Sequence, residues 1–190
     1  NLIENIIPKC DEIFIEVGYF FFSGFEEIYK SLEDKKVNIL IGMDFDKRIA
    51  KAAQSTSAIR DTYFEQLEDD ISNTDLLDSN DSQNSYNLFL KKLKDNSLKI
   101  KCWREKNDHT KRFIFQFNEK ESLSGQTPGY VITGSSNFSK SGFVDNIEGN
   151  HLHTDKNDFN DYKQDFLERW ESHNSINILD VENYEEFIKK

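Results

Sequence analysis

The stretch Glu12-Ile-Phe-Ile-Glu-Val-Gly18 is β-branched and aromatic and has the length of a strand. Ser23 then stands before Gly24-Phe25-Glu26-Glu27-Ile28-Tyr29, a hydroxyl followed by acids, which is a helix-start signal. Phe25, Ile28, Tyr29 and Leu32 line one face of that helix. Val37-Asn-Ile-Leu-Ile-Gly-Met43 follows as an apolar, buried strand. A strand–helix–strand unit of this length is expected to pair in parallel through a right-handed crossover, which commits the chain to an α/β architecture. Gly18 and Gly42 form no dinucleotide fingerprint, and the sequence holds neither a Gly-x-Gly-x-x-Gly nor a P-loop.

Downstream the two periods keep alternating. Ile59, Tyr63 and Leu67 recur at helical spacing, and Leu88, Leu90 and Leu93 do so less cleanly, so residues 47 to 95 are predicted largely helical. Ser72 to Asn87 is rich in Asp, Asn and Ser and reads as a loop running into a helix. Leu98 to Trp103 alternates like a strand with one wet face, and Thr110 to Phe117 places Phe113, Phe115 and Phe117 on one side of another. Asn118 to Gly129 is polar, with Gly125, Pro128 and Gly129, and is predicted to be a turn or hairpin loop. Tyr130 to Thr133 and Ile147 to His153 are further strands. Phe159, Tyr162, Phe166, Leu167 and Trp170 give residues 158 to 173 the face of a closing amphipathic helix. No internal repeat is visible. The predicted fold is a mixed, largely parallel β-sheet flanked by helices on both faces.

A chain of 190 residues accommodates one domain with a sizeable core, and residues 1–190 are read as that single domain. It opens on Asn1-Leu2-Ile3 and stops at Lys189-Lys190, so the expectation is a fragment of a longer protein. No apolar run approaches the ~20 residues of a membrane span, and Tyr19-Phe20-Phe21-Phe22 is too short and lacks the basic flank of a signal peptide. Cys10 and Cys102 have no metal-ligand spacing and read as core thiols in a reducing, cytoplasmic compartment. The net charge of −11 argues against a general nucleic-acid coat. The charge is uneven, however: residues 91 to 112 carry nine Lys or Arg against three acids, while 61 to 81 carry eight acids and no base. Such runs are ordinarily solvated faces; the sharper reading of the basic one is a landing strip for phosphate.

Three polar features sit at the ends of the later strands. In His109-Thr110-Lys111 the imidazole and the ammonium are two apart and so project side by side from a strand. Gly134-Ser135-Ser136-Asn137 follows the strand 130–133 directly, and small residues with an amide bring backbone N–H groups and a carboxamide close to an anion. Glu148 opens the strand that ends at His153, and a carboxylate there can hold an imidazole in one tautomer. Taken singly each is a weak signal. Ser-Ser-Asn after a strand is usually a turn, and a lone Glu is usually a surface charge. His151 and His153 share one strand face, but no third ligand stands at useful spacing, so they read as exposed strand histidines and no metal site is expected.

In order, however, His109-x-Lys111, a strand, Gly134-Ser135-x-Asn137 and then Glu148 resemble the phospholipase D superfamily. Phe138-Ser139-Lys140-Ser141-Gly142-Phe143 and Asn146-Ile147-Glu148 are similar to the tail of that pattern in its nuclease branch. Val17-Gly18-Tyr19-Phe20, then Phe25, resembles the opening of such domains in helicase-associated and restriction proteins. The resemblance spans nearly the whole chain. Two departures stand out: Gln116 occupies the place of the usual Asp five residues after the Lys, and the hairpin 118–129 lengthens the gap to the Gly-Ser.

The resemblance implies phosphodiester cleavage without a metal or other cofactor. His109 would attack phosphorus and form a phosphohistidine. Lys111 and Asn137 would donate to the non-bridging oxygens, with Ser135 and Ser136 beside them. Glu148 would orient His109. A second imidazole is needed to protonate the leaving oxygen and then activate water. Only one His-x-Lys is present, so a two-fold homodimer is expected, or a second half-site elsewhere in a longer chain. The leading reading is a DNA endonuclease module, with DNA ahead of RNA, from a restriction or helicase-type protein whose helicase or ATPase region shares the full-length chain. The competing reading is a non-catalytic DNA-binding or dimerisation module. A lipase ranks below both, because no membrane-docking amphipathic helix is evident. The hairpin 118–129 is expected to border the substrate groove, since it links the two motif strands.

Overall fold

The computed structural model describes residues 2–20, 22–42, 56–73, 79–104, 111–135 and 149–189. The opening unit forms as its sequence dictates. Strand β1 (Cys10–Val17) leads into α2 (Phe22–Leu32) and β2 (Lys36–Gly42), preceded by a short α1 (Leu2–Ile6) and a 3-10 turn (Ile7–Lys9). β1 and β2 pair in parallel, with Ile13 beside Val37 and Ile15 beside Ile39. The start of α2 is not capped by Ser23 as its position suggested. Helix begins at Phe22, whose N–H donates to the carboxylate of Asp70 from α3 (Thr56–Asn73).

Two helices occupy the described part of residues 47 to 95: α3 and α4 (Asn80–Lys94). The loop expected to run to Asn87 ends sooner. Ser79 accepts a hydrogen bond from the N–H of Ser82 at 3.1 Å, so the helix starts as soon as a hydroxyl cap is available. Next come β3 (Leu98–Trp103), β4 (Arg112–Phe117), α5 (Glu119–Gly125), β5 (Gly129–Thr133), β6 (His151–His153), α6 (Lys156–Glu171), β7 (Ser175–Leu179) and α7 (Tyr184–Ile188).

The seven strands form one mixed sheet in the order β6-β5-β4-β1-β2-β3-β7. The expectation of a largely parallel sheet needs correcting. Only β1–β2 and β2–β3 are parallel; β4 runs against β1 and β5, β5 against β6, and β3 against β7. The reason is connection length. A parallel return needs a crossover of about a dozen residues or more, and the links from β3 to β4 and from β4 to β5 are shorter than that.

The two faces of the sheet differ. One is packed by α1, α2, α3, α4 and α7 over Ile13, Ile15, Ile39, Ile100, Phe113 and Phe115. Phe89 anchors it, meeting Phe25 at 5.3 Å and Phe22 at 5.5 Å, both edge-on. The other face carries α6, whose Phe159, Phe166 and Trp170 pack on Phe14, Leu40, Trp103, Ile114 and Val131. Asp155 caps α6, accepting from the N–H of Asn157 at 2.7 Å. Cys10 and Cys102 are both free and buried, and burial pushes each thiol up to about 12.

The segment read as a hairpin loop contains the helix α5. Asn118 accepts from the N–H of Glu121 at 2.9 Å, and Glu119 and Glu121 sit in the first turn, where the helix dipole favours acids. Gly129 then enters β5 where a Cβ would lie 2.0 Å from the carbonyl oxygen of Phe115, so only glycine fits. The basic run also divides. Lys91, Lys92 and Lys94 belong to the last turn of α4, while Lys99 and Lys101 alternate on β3 with the buried Leu98, Ile100 and Cys102, pointing to the opposite face. Lys92 is itself fully buried and donates to the carbonyls of Lys35 at 2.5 Å and Glu33 at 3.4 Å, closing the turn after α2. The run is therefore not one landing strip.

Candidate active site

The register of the sheet places one row of residues side by side across four strands: Glu16 on β1, Arg112 on β4, Thr133 on β5 and His151 on β6. The next row down is apolar, with Ile15, Phe113, Ile132 and Leu152. The sheet thus turns polar at one edge. That edge is where β1 and β5 end and where β4 and β6 begin, so Lys111, Gly134 and Ser135, which flank β4 and β5, are delivered to it.

Lys111 stands one residue before β4, and Gly134-Ser135 follow β5 directly. The N–H of Gly134 donates to the carbonyl of Lys111 at 3.2 Å, which extends the β4–β5 ladder by one step and joins the two motifs. On the other side of Gly134 lies Asn150. A Cβ on residue 134 would come within 1.9 Å of the Asn150 side-chain oxygen and 2.9 Å of its Cα. Glycine is therefore what lets the strand into β6 close against the turn after β5. Gly149 takes a left-handed φ of 97°, and its missing Cβ would be 3.8 Å from the Ser135 hydroxyl oxygen. Lys111, Gly134, Ser135, Gly149 and Asn150 form one cluster, with Lys111 half-buried and Ser135 exposed. His109, Ser136, Asn137 and Glu148 lie outside the described residues.

Beneath this cluster is a charge network that the sequence reading did not single out. Arg112 donates through Nε to Glu16 at 2.5 Å and through Nη2 to Asp165 of α6 at 2.5 Å. Arg169, one turn further along α6, donates to the other Glu16 oxygen at 2.7 Å. The Arg112 and Glu16 side chains are only 3% and 4% exposed, so neither charge has water to fall back on. Burial alone would lower the pKa of Arg112, but Glu16 and then Asp165 outweigh it and hold the guanidinium above its ordinary value. The signal was present in the sequence: Glu16 is a charge between Ile15 and Val17 in the apolar half of β1, and Arg112 opens the apolar run Phe113–Phe115 of β4.

Next to the network, His153 is held at both nitrogens. Its Nε2 lies 2.9 Å from the Thr133 hydroxyl and its Nδ1 3.2 Å from Asp158, while the ring packs 5.1 Å from Tyr162. Of the two histidines read as exposed, His151 is exposed and His153 is tied into the α6 face. Among the described residues no group of three or more His, Cys, Asp or Glu side chains is placed to hold a metal ion.

Gln116 lies at the other end of β4 and accepts from Lys163 of α6 at 2.5 Å. Five residues of strand from Lys111 amount to ~16 Å, so the side chain at this position belongs to helix packing. The same geometry overturns the expectation for 118–129. β4 runs away from the motif edge and β5 returns to it, so α5 sits at the opposite edge of the sheet and does not border the groove.

The profile of the family described as "Cardiolipin synthase, PLD-like domain" matches residues 5–170. The chain belongs to the phospholipase D-like family. That membership covers β1 through α6 and sets the chain among phosphodiester-cleaving enzymes of the phospholipase D type. Two solved structures are similar to it. Nuc from Salmonella typhimurium, a phospholipase D family member, is 14% identical with a TM-score of 0.47, over 93% of this chain and 88% of that one. NucT from Helicobacter pylori is 17% identical with a TM-score of 0.48, over 93% and 89%. No curated protein matches the sequence significantly. Among the described residues no helix of this phospholipase D-like domain is long and apolar enough to cross a membrane.

Proposed function

We propose that this phospholipase D-like chain is a metal-independent nuclease module that cleaves DNA phosphodiesters. The observation that carries the proposal is the bond from the Gly134 N–H to the Lys111 carbonyl, which brings the ends of the two motif strands together. His109 is two residues before Lys111, and Asn137 two after Ser135. In the proposed reaction His109 attacks phosphorus, the bond to the leaving oxygen breaks, and a phosphohistidine forms. Lys111 and Asn137 neutralise the charge that builds on the non-bridging oxygens, with Ser135 and Ser136 beside them. Glu148 orients His109.

The leaving oxygen needs a proton, and the same donor must later activate water to release the phosphate from His109. One chain carries one His-x-Lys, so a second His109 across a two-fold axis supplies that imidazole in the proposal. The module then works as a homodimer, in the cytoplasm, alongside a helicase or restriction region of a longer protein.

A second reading, a non-catalytic DNA-binding or dimerisation module, draws on Gln116 in place of the usual Asp. Its position ~16 Å along the strand from Lys111, bonded to Lys163, weighs against giving that change a chemical meaning.

The deciding experiment is cleavage of plasmid and single-stranded DNA in excess EDTA, comparing wild type with His109→Ala and recording the mass in solution. The expected result is cleavage by a dimer that disappears in the variant. DNA binding without cleavage, unaffected by His109→Ala, would favour the second reading.

A further inference from the structure

We propose that the pocket where β1 runs into α2 receives one unpaired nucleobase, stacked on Tyr19 while its phosphate lies at Lys111, which makes single-stranded nucleic acid the preferred substrate. This rests on the nuclease reading above and adds to it the form of the substrate.

The pocket lies between the residues after β1 and helix α3. Its lining includes Tyr19 and Phe20 after β1, Tyr63, Gln66 and Leu67 of α3, and Ile41 of β2. Its volume of about 50 Å³ is well below the ~300 Å³ at which pockets for whole drug-sized molecules begin. The space is too small to enclose a nucleobase, so the base lies across its mouth against Tyr19 with only an edge inserted. Three aromatic side chains line so small a space, and two are fixed from behind. Phe20 stacks on the buried Phe89 at 6.4 Å, and the Tyr63 hydroxyl accepts from the Cys102 thiol at 3.4 Å. Tyr19 is 46% exposed, the most open of the three aromatic residues. Gln66 is exposed, three residues from Tyr63 and so on the same side of α3, where its amide can both donate to and accept from a base edge.

The position is what ties this pocket to phosphate chemistry. Glu16 pairs with Arg112, so Lys111 lies level with Val17, about 5 Å away across the strands. Tyr19 is two residues further on, at most ~7 Å from Val17. A base stacked on Tyr19 and a phosphate at Lys111 are thus within the span of neighbouring nucleotides. Arg104, exposed just past the end of β3, adds a second cation to the same edge of a chain whose net charge is −11. Base stacking on aromatic side chains beside a cationic track is how single strands are held without sequence reading. A duplex keeps its base faces stacked inside, and offers one only after unpairing. An acyl chain would fill apolar space as well, but it would gain nothing from planar rings or from the Gln66 amide.

The test is fluorescence anisotropy of labelled oligothymidylate and of the same strand with abasic residues in place of its central thymidines, both in EDTA. Wild type is compared with Tyr19→Ala, Tyr19→Phe and Gln66→Ala, each checked by circular dichroism and thermal melting. Tyr19→Ala is expected to weaken oligothymidylate binding about tenfold or more, the scale of one lost base–aromatic stack. Tyr19→Phe keeps the ring and stays within about twofold of wild type on the same ground. Gln66→Ala lowers affinity less, and the abasic strand is insensitive to all three. Equal losses on both strands, or no loss on oligothymidylate, overturn the proposal while leaving the nuclease reading intact. Tyr19-dependent binding to phosphatidylglycerol vesicles in place of DNA overturns it in favour of a lipid. If wild type binds neither strand, the nuclease reading fails with it.

Discussion

Arg112 and Lys111 are chain neighbours with opposite surroundings. Lys111 reaches the polar edge of the sheet, whereas Arg112 turns under it and is 2% exposed between Glu16, Asp165 and Tyr162. A buried charge is tolerable only while its partners are present. Replacing Arg112 with Met removes three interactions and leaves Glu16 dependent on Arg169 alone. We expect a loss of ~3–5 kcal/mol, the usual consequence of breaking a buried pair, measured by urea denaturation. Glu16→Gln with Arg112 intact should cost less, since Asp165 still pairs with the guanidinium and the Gln amide oxygen can still accept from it. The network sits directly beneath the start of β4, one residue from Lys111. Gln116 shows the contrary case. It occupies a motif position by sequence count, yet its partner is Lys163, and its identity concerns α6.

At the scale of elements, most of the fold was legible. β3, α2 and α6 follow from apolar periods of two and 3.6, and β1, β2, β4 and β5 from short apolar runs that the sheet buries on both faces. What escaped the reading was short or polar. α5 has no buried residue, so it carries no apolar stripe, and only the Asn118–Glu121 cap announces it. β7 did alternate, with Ile176 and Ile178 buried, but its five residues follow a helix end and were not distinguished from a tail. Strand direction was misjudged because period reveals burial and says nothing of pairing sense; loop length was the missing constraint. The candidate site was legible in its order of motifs, whereas the Glu16–Arg112–Asp165–Arg169 network was not, since its members come from three distant parts of the sequence. The placement of α5 yields its own prediction. Replacing residues 119–127 with a short Gly-containing turn should leave cleavage of DNA and its affinity unchanged within about twofold, with at most a modest loss of stability. Gel-based cleavage assays and a thermal melt check both halves; a selective loss of DNA affinity would return α5 to the substrate groove.

For the whole molecule, the sheet is unequally covered. Among the described residues five helices pack on one face and α6 on the other, so the motif edge is braced from the α6 side by ion pairs and from the opposite side by aromatic packing. If two copies share a site in which each His109 has its own task, one defective copy disables the pair. Mixing wild type with His109→Ala under conditions that exchange subunits should then lower activity as the square of the wild-type fraction. A linear fall would mean that each chain works by itself. Mass measured across the mixing series confirms that both species remain paired.

The bond from Arg112 to Glu16 spans 96 residues of sequence, and that from Arg169 to Glu16 spans 153. Contacts so distant in the chain carry a large loop-closure cost and are made late. Strand β1, near the start, lies in the middle of the sheet and waits for β4 before its second side is filled. During synthesis, then, the parallel β1–β2–β3 layer can assemble while the later strands are still inside the ribosome, but the polar floor under Lys111 cannot form until α6 has emerged. A nascent chain would hold its layer of parallel strands long before it held the floor under Lys111, and a cell making this protein would meet a finished motif edge only on a nearly complete molecule.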